Sequence, residues 1–410
     1  MERIILHCDL NAFFASVECL FNPDLKFVPM AVAGNPKSRH GIILAKNELA
    51  KKYDVKTAET IWQAKMKCPD LVLVPPHHDK YYYYSQIVNG IYQKYTDLVE
   101  PFGIDESWLD VTGSTRIFGS GMEIAKKISD EVKKETGLTL SIGVSFNKVF
   151  AKLGSDYKKP DAITEISKEN MKKIVFPLPV TDLLFVGRST LKHLEILNIK
   201  TIGDLAESNK KILIRLMGKQ GETIWNYANG IDNTPVLKFD EREREKSVGN
   251  SITFTRNLCG EEEIKSGLIV ICDEVAQRMR MKKLKCQYVQ LGIKNESLKT
   301  ITRRCKTSSP TNLARDLYKY SLELFIKNWD FKNPVRLLSV TGGNLIEEDE
   351  FIQEDLFTSL DESKEKFESM EKSMDIIRKR FGNASVMYGS ALNNSTIKTF
   401  SENEDEYNEN

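Results

Sequence analysis

Two carboxylates stand side by side in a tight turn, Gly103-Ile104-Asp105-Glu106-Ser107, between two apolar runs at 98–102 and 108–111. Short apolar runs on either side of such a turn predict an antiparallel hairpin. A third run, residues 3–8, reads as a buried strand and ends on a lone carboxylate, Asp9. Charged groups are costly in a core, so acids at a strand end and a hairpin tip belong at a rim, where they can converge. Three carboxylates on one rim would hold a pair of divalent cations, as phosphoryl-transfer chemistry requires. The plainer reading of Asp105 and Glu106 is two polar turn residues.

At 410 residues the chain is long enough for two to four domains. No apolar run approaches the ~20 residues of a membrane span, and Met1-Glu2-Arg3 leads straight into a strand without a signal-peptide pattern. Seven scattered cysteines form no Cys-x-x-Cys pair, which predicts reduced thiols and a cytoplasmic location. Five histidines without ligand spacing argue against zinc. The net charge of +1 conceals an asymmetry: residues 246–345 carry 18 Lys/Arg against 9 Asp/Glu, and residues 346–410 carry 7 against 17. A basic module in an otherwise balanced chain suits a polyanion, and an acidic end suits a solvated tail. Surface charge serving solubility alone is the alternative.

Residues 1–170 mix short strands (3–9, 28–33, 71–74, 98–102, 107–112, 139–145) with amphipathic helices, the pattern of an α+β domain. A helix is predicted over 147–157, ended by Lys159-Pro160. Residues 171–235 read as all-helical, and the charged stretch 238–246 as a linker. Residues 246–345 read as strand, helix, strand, helix, strand. Beyond 346 come an acidic loop, a helix at about 361–381 and a polar end expected to be disordered.

Five strings in order resemble the Y-family (translesion) DNA polymerases, the DNA polymerase IV (DinB) and UmuC branches. They are Asp9-Leu10-Asn11-Ala12-Phe13-Phe14-Ala15-Ser16-Val17-Glu18, Ile104-Asp105-Glu106-Ser107-Trp108-Leu109-Asp110-Val111-Thr112, Ser141-Ile142-Gly143-Val144-Ser145-Phe146-Asn147-Lys148, Ala151-Lys152-Leu153-Gly154-Ser155-Asp156-Tyr157-Lys158-Lys159-Pro160 and Lys246-Ser247-Val248-Gly249. The resemblance implies a bacterial α+β multidomain protein with a ferredoxin-like palm (1–11 and 76–170) and small fingers inserted in it (12–75). A helix-hairpin-helix thumb (171–237), a linker (238–246), an α/β little finger (247–345) and a clamp-binding segment with a flexible acidic tail (346–410) would follow. The implied activity is template-directed, low-fidelity DNA synthesis without proofreading, on primer-template DNA and dNTP, by a monomer away from membranes.

By the same resemblance, Asp9 and Asp105 bridge two Mg²⁺ ions, the Leu10 carbonyl is a further ligand, and Glu106 serves the metal that activates the primer 3′-hydroxyl. Phe14 falls at the steric gate, where a flat ring excludes a 2′-hydroxyl. Phe13, Lys51, Lys159 and Ile43 would contact the nucleotide, Ile43 within the apolar roof Ile42-Ile43-Leu44. Lys51 stands where arginine is usual and supplies a point charge rather than a bidentate fork. Ala45 and Glu48 replace the Thr and Tyr of the polymerase IV pattern, so Lys46 or Asn47 is expected to supply the missing phosphate contact. The string at 45–51 looks more like the UmuC branch.

Gly187 is what remains of the thumb's Pro-Gly-x-Gly hairpin, and Gly218-Lys219-Gln220-Gly221 is a candidate second hairpin. Lys246, Arg256, Arg303, Arg304, Lys306 and Arg336 are candidate phosphate contacts of the basic module. Gln353, Leu356 and Phe357 are similar to the peptide by which bacterial polymerases dock on the sliding clamp, two apolar anchors with a glutamine fixing register. Two other readings compete: a nucleotidyl cyclase, which explains neither the thumb nor the basic module, and a catalytically impaired DNA- and clamp-binding family member.

Overall fold

The structure, a computed structural model, describes residues 2–36, 38–241, 244–350 and 362–389. The chain divides into two compact units, residues 1–34 with 42–242, and residues 35–41 with 243–410. In chain order the first unit opens with β1 (Ile5–Leu10), α1 (Phe13–Phe21), β2 (Met30–Ala33), β3 (Ile43–Lys46), α2 (Glu48–Lys51), α3 (Ile61–Lys67) and β4 (Val72–Val74). Next come α4 (His78–Gln93), β5 (Val99–Pro101), β6 (Glu106–Asp110), α5 (Thr115–Phe118), α6 (Gly121–Thr136), β7 (Leu140–Ser145), α7 (Lys148–Tyr157) and β8 (Ile163–Ile166). It closes with the short helices α8 (Met171–Ile174), α9 (Arg188–Ile196), α10 (Ile202–Glu207), α11 (Lys210–Met217) and α12 (Lys219–Ala228).

Five strands form one sheet in the order β5-β6-β1-β7-β8, with β1 central and antiparallel to both neighbours. All six β1 residues are buried, which explains its nearly unbroken apolar run. Side chains alternate across a strand. Leu6, Cys8 and Leu10 join Val88 and Ile91 of α4 and Ile124 and Ile128 of α6 in the main core. Ile5 meets Ala151, and His7 meets Ser155, on α7 over the opposite face. A Cβ at Gly143 would lie 1.9 Å from the Ala151 carbonyl oxygen, so glycine is what lets α7 lie directly on β7. Asn147 starts α7 by accepting from Phe150 N–H at 2.8 Å.

A second sheet, β3-β2-β4, packs Ala31, Ile43, Val55, Ile61 and Ala64 into a small core of its own. The helices α9–α12 bury Leu194, Ile202, Leu205, Leu213 and Ile224 together.

The second unit contains β9 (Ser247–Leu258), α13 (Glu261–Met281), β10 (Leu284–Lys294), β11 (Thr300–Thr311), α14 (Ala314–Asn328), β12 (Val335–Glu347) and α15 (Glu362–Phe381). Its sheet runs β11-β10-β12-β9, antiparallel throughout, with α13 and α14 packed into one apolar core with it. The strand-helix-strand-helix-strand expectation merges β10 and β11 into one strand. They are a hairpin, turned at Asn295, whose side chain accepts from Lys299 N–H at 2.9 Å. Edge strand β11 is largely polar and exposed, so it lacks the apolar signature of a buried strand.

Helix α15 lies where a helix is expected, at about 361–381, but it is docked rather than part of a flexible tail. Arg280 of α13 pairs with Glu371 and with Asp375, and Arg378 pairs with Asp273 at 2.7 Å, so the helix is docked on this unit. Among the described residues no helix is long and apolar enough to cross a membrane. The candidate clamp residues Gln353, Leu356 and Phe357 lie outside the described residues.

Candidate active site

Strand register brings the acids together. Asp9 on β1 is the cross-strand partner of Glu106 on β6, and the Leu10 N–H donates to the Asp105 carbonyl at 3.0 Å. Glu106 is thus the first residue of a strand rather than part of the turn. With Asp9, Leu10, Asp105 and Glu106, the side chains of Phe14, Leu44, Lys46, Glu48, Lys51, Lys152 and Lys159 line one open cavity of about 430 Å³.

Two lysines pair with Asp9 and Glu106 but not with Asp105. Lys152 on α7 reaches Glu106 Oε2 at 2.5 Å and Asp9 Oδ2 at 3.2 Å. Lys159 reaches Asp9 Oδ2 at 2.7 Å and Asp156 at 2.6 Å. Burial raises the Asp105 carboxyl to about 6, and the Asp9 and Glu106 charges push it the same way. Burial would raise Glu106 too, but contacts from His7 and Lys152 overcome it and hold that carboxyl at about 2. Burial likewise works to lower Lys159, which is raised by Asp9 and Asp156. One acid in the group is therefore reluctant to ionise without more positive charge beside it.

Phe14 lies at the mouth of the cavity, stacked on Tyr81 with centroids 4.0 Å apart and planes within 12°. Tyr81 is held in turn by Glu18, which its hydroxyl and His77 both meet. The reversal from β1 into α1 passes through Ala12 in the left-handed region at φ 46°, a conformation costly for a residue with a side chain. It delivers Phe13 and Phe14 beside Asp9. Phe13 itself is 2% exposed and belongs to the main core, so it forms the cavity's wall more than its surface.

Several expectations need correction. Ile43 is 0% exposed in the core of the small sheet, and Leu44, its neighbour on the other face of β3, lines the cavity instead. Asn47 is not a phosphate ligand: its side chain caps α2 at Ala50 N–H and bonds Met30 N–H and the Leu25 and Val28 carbonyls. Lys46 does line the cavity, with Nζ 3.2 Å from Thr57. Lys51 also lines it, with Glu48 3.7 Å away.

Among the candidate DNA contacts, Gly187 is the N-cap of α9, and a Cβ there would meet nothing within 4 Å, so packing does not require glycine. Arg256 is exposed and pairs with Glu263 at 2.9 and 2.5 Å. Arg303 donates to Asn328 of α14 at 3.1 Å, on the helix-covered side. Arg304 lies over the Tyr288 ring, and Lys306 pairs in register with Tyr288 on the same open face. Lys246 is exposed beside the start of β9, and Arg336 lies near enough to His40 to lower its pKa, after burial. The open face continues through Ser251, Ser339, Gly292 and Thr302, aligned across all four strands. The sequence pattern singles out the cations of this face and misses its flat, small-residue floor.

Sequence profiles of the impB/mucB/samB family match residues 8–156, and those of the same family's C-terminal domain match 245–356. A DNA polymerase IV from Acetivibrio thermocellus is 46% identical over 392 residues, covering 96% of this chain and 98% of that one. The DNA polymerase IV 1 of Bacillus subtilis is 39% identical over 97% of this chain and 95% of its own. The chain belongs to the Y family of DNA polymerases. It is a DNA-directed DNA polymerase. A solved Y-family DNA polymerase chimera superposes with a TM-score of 0.73 at 25% identity, covering 84% of this chain and 99% of that one. Both relatives carry the polymerase IV name, so the UmuC-like string at 45–51 does not divide this chain from that branch.

Y-family polymerases use divalent metals, and the residues present fit such ions. Their donors are carboxylate oxygens at an open rim, the chemistry a hard cation prefers, and Asp105 is held back from ionising by burial and by negative neighbours. Lys152 and His7 are site residues that the sequence pattern did not single out. Lys152 had a detectable signal, its place one helical turn before Asp156 on the helix leading to Lys159; His7 had another, its place two residues before Asp9 on one strand face.

Proposed function

We propose that this chain is a template-directed polymerase of translesion synthesis, adding deoxynucleotides to a primer 3′-end. The observation that carries this reading is the Asp9–Glu106 cross-strand pair with Asp105 beside it, facing a cavity that also holds Phe14 and Lys159. Asp9, Asp105, the Leu10 carbonyl and Glu106 would hold two Mg²⁺ ions, which stabilise attacking and leaving oxygens of an in-line displacement. Lys159 and Lys51 offer charge to the triphosphate. The Phe14 ring, braced by Tyr81, meets the sugar and leaves no room for a 2′-hydroxyl.

In this reading residues 1–11 and 76–170 are the palm, 12–75 the fingers, 171–237 the thumb and 247–345 the little finger. The little finger would grip duplex backbone on its open sheet face, with Arg304 and Lys306 as cations, and such contacts are sequence-independent and salt-sensitive. Docking on the sliding clamp through Gln353, Leu356 and Phe357, low fidelity without proofreading, and a cytoplasmic monomer with reduced thiols complete the proposal. The seven free cysteines support the last point.

Primer extension with Mg²⁺ on undamaged and lesion-bearing templates tests the reading. An Asp105→Ala Glu106→Ala variant should lose extension by at least about 10³-fold, as expected when charge stabilisation of a transition state is removed, while melting near the wild-type temperature. Extension equal to wild type would sink the mechanism. Phe14→Ala should extend primers with ribonucleotides that the wild type rejects; unchanged sugar discrimination would remove Phe14 from the gate.

A further inference from the structure

Behind the carboxylates, on the closed side of the sheet, lies a polar group the mechanism has not used. His7 leaves β1 on the same face as Asp9, and its ring is 0% exposed. Trp108 packs against it edge-on with centroids 5.3 Å apart, and α7 covers it. Nδ1 lies 2.9 Å from Ser155 Oγ. Nε2 lies 3.3 Å from Glu106 Oε2, yet it makes no aligned hydrogen bond among the described residues. A buried nitrogen left unpaired is costly, and this one lies beside a carboxylate oxygen.

We infer that His7 is a positioning residue that holds Glu106 from behind, donating Nε2–H to Oε2 while Ser155 holds the ring at Nδ1. The inference rests on the reading of Glu106 as a metal-holding carboxylate. Electrostatics selects the tautomer: an imidazole lone pair facing a carboxylate oxygen in a buried setting repels it, whereas an N–H attracts it. Nδ1 is then the acceptor, and the Ser155 hydroxyl is its donor. That hydroxyl is also placed to donate to the Lys152 carbonyl at 2.7 Å, which competes for its hydrogen. The carbonyl belongs to α7, where the helical i→i+4 pattern already gives it a partner, so the serine hydrogen can turn to the ring.

Glu106 Oε2 is thus approached from two sides, by Lys152 at 2.5 Å and by His7 at 3.3 Å. The two supports differ in kind. Lys152 sits on a flexible four-carbon stem and can swing away when other positive charge arrives. The His7 ring is walled in by Trp108 and α7 and cannot follow. It is therefore the fixed support, the role that second-layer partners of metal-holding carboxylates fill. Among the described residues no hydrogen bond reaches Glu106 Oε1, which leaves that oxygen to face the cavity's contents.

The test compares full-length wild type with His7→Phe, which fills the space without an N–H, and His7→Gln, which restores an N–H near the Nε2 position. Each is checked for folding by circular dichroism melting. Mn²⁺ binding is then measured by calorimetry without nucleotide, and kcat and the dNTP KM are separated in primer extension. His7→Phe should weaken Mn²⁺ binding and lower kcat by about tenfold, the lower end for loss of such a partner, with KM within about twofold of wild type; His7→Gln should recover most of both. If His7→Phe does not fold, Ser155→Ala carries the test, with a smaller loss of Mn²⁺ affinity expected and none overturning the inference. A folded His7→Phe that binds Mn²⁺ and turns over like wild type would overturn it. So would a His7→Gln as impaired as His7→Phe. Nitrogen coupling to bound Mn²⁺ in pulsed electron paramagnetic resonance would also overturn it, because the ring would then ligate the ion itself, within the 4.8 Å grouping of His7, Asp9 and Glu106. A wild type that neither binds Mn²⁺ nor extends primers would break the functional reading first, and this inference with it.

Discussion

At the rim of the first unit two of the three carboxylates, Asp9 and Glu106, share two lysines; under α15 in the second unit, Arg280 and Arg378 meet Glu371, Asp375 and Asp273. Both are knots of opposite charge, but their polar atoms are treated differently. Glu371 is 1% exposed and accepts from Arg280 and from the Ala314 N–H at the start of α14. Arg280 also donates to the Asn312 carbonyl at 3.0 Å, and Arg378 meets Asp273 through both its terminal nitrogens at 3.0 and 2.7 Å. That knot is closed and satisfied. At the rim, Asp105 is pushed up to about 6 by burial and by its acidic neighbours, and Glu106 Oε2 lies between Lys152 and a histidine nitrogen that makes no aligned hydrogen bond. Satisfaction marks the cluster that holds structure together; shortage of positive charge marks the one that has something to bind.

Three experiments can break this contrast. Arg280→Met should cost about 3–5 kcal/mol in urea denaturation of the second unit, because it strands the buried Glu371 carboxylate; a loss below about 1 kcal/mol, the scale of an exposed pair, would show the knot to be dispensable. Asp105→Asn should act in the opposite direction in chelator-treated protein. The folded Asp105 pKa of about 6 lies above its ordinary 3.8, so the folded state holds the proton more tightly and wild-type stability from this group falls as pH rises between those values. The Asn variant should therefore be more stable by about 1–2 kcal/mol above pH 6, after allowing for solvent screening, with the gain vanishing below about pH 4. A gain independent of pH would mean that like-charge repulsion is not its source. Lys152→Met should be the mildest, about 1 kcal/mol or less, since the carboxylates it leaves can hydrate at the open cavity; a loss matching Arg280→Met would erase the distinction.

The strands that carry the chemistry were legible because each is a short apolar run interrupted by an acid that has no business in a core. The helix after Asn147 was legible from its cap and its apolar face. What the sequence concealed was relational. Nothing local says that Asp9 and Glu106 are register partners, or that Ile43 faces inward while Leu44 faces the cavity. In a four-residue strand with apolar residues on both faces, alternation has no polar contrast to reveal it. Asn47 looked available for phosphate because a polar residue near a site cannot be told from a helix cap without the backbone around it. The pairing of Arg256 was not legible because its partner Glu263 sits on a different element, α13. Polar β11 was hidden because few of its core-side residues are apolar, and what the sequence concealed about α15, a helix already legible there, was its docking on Arg280.

The central position of β1 carries a consequence for how the chain is made. β1 is translated before both of its partner strands, which begin at Glu106 and Leu140, and the lysines that neutralise its acid come later still, at 152 and 159. At roughly 5–20 residues per second, synthesis leaves this mostly apolar strand without either neighbour for roughly five to twenty seconds. During that interval both of its edges are open to wrong partners, the state in which strands aggregate. Folding of the first unit therefore cannot proceed strand by strand behind the ribosome. β1 is enclosed only once β7 has been made, and the catalytic rim comes into being only with that enclosure.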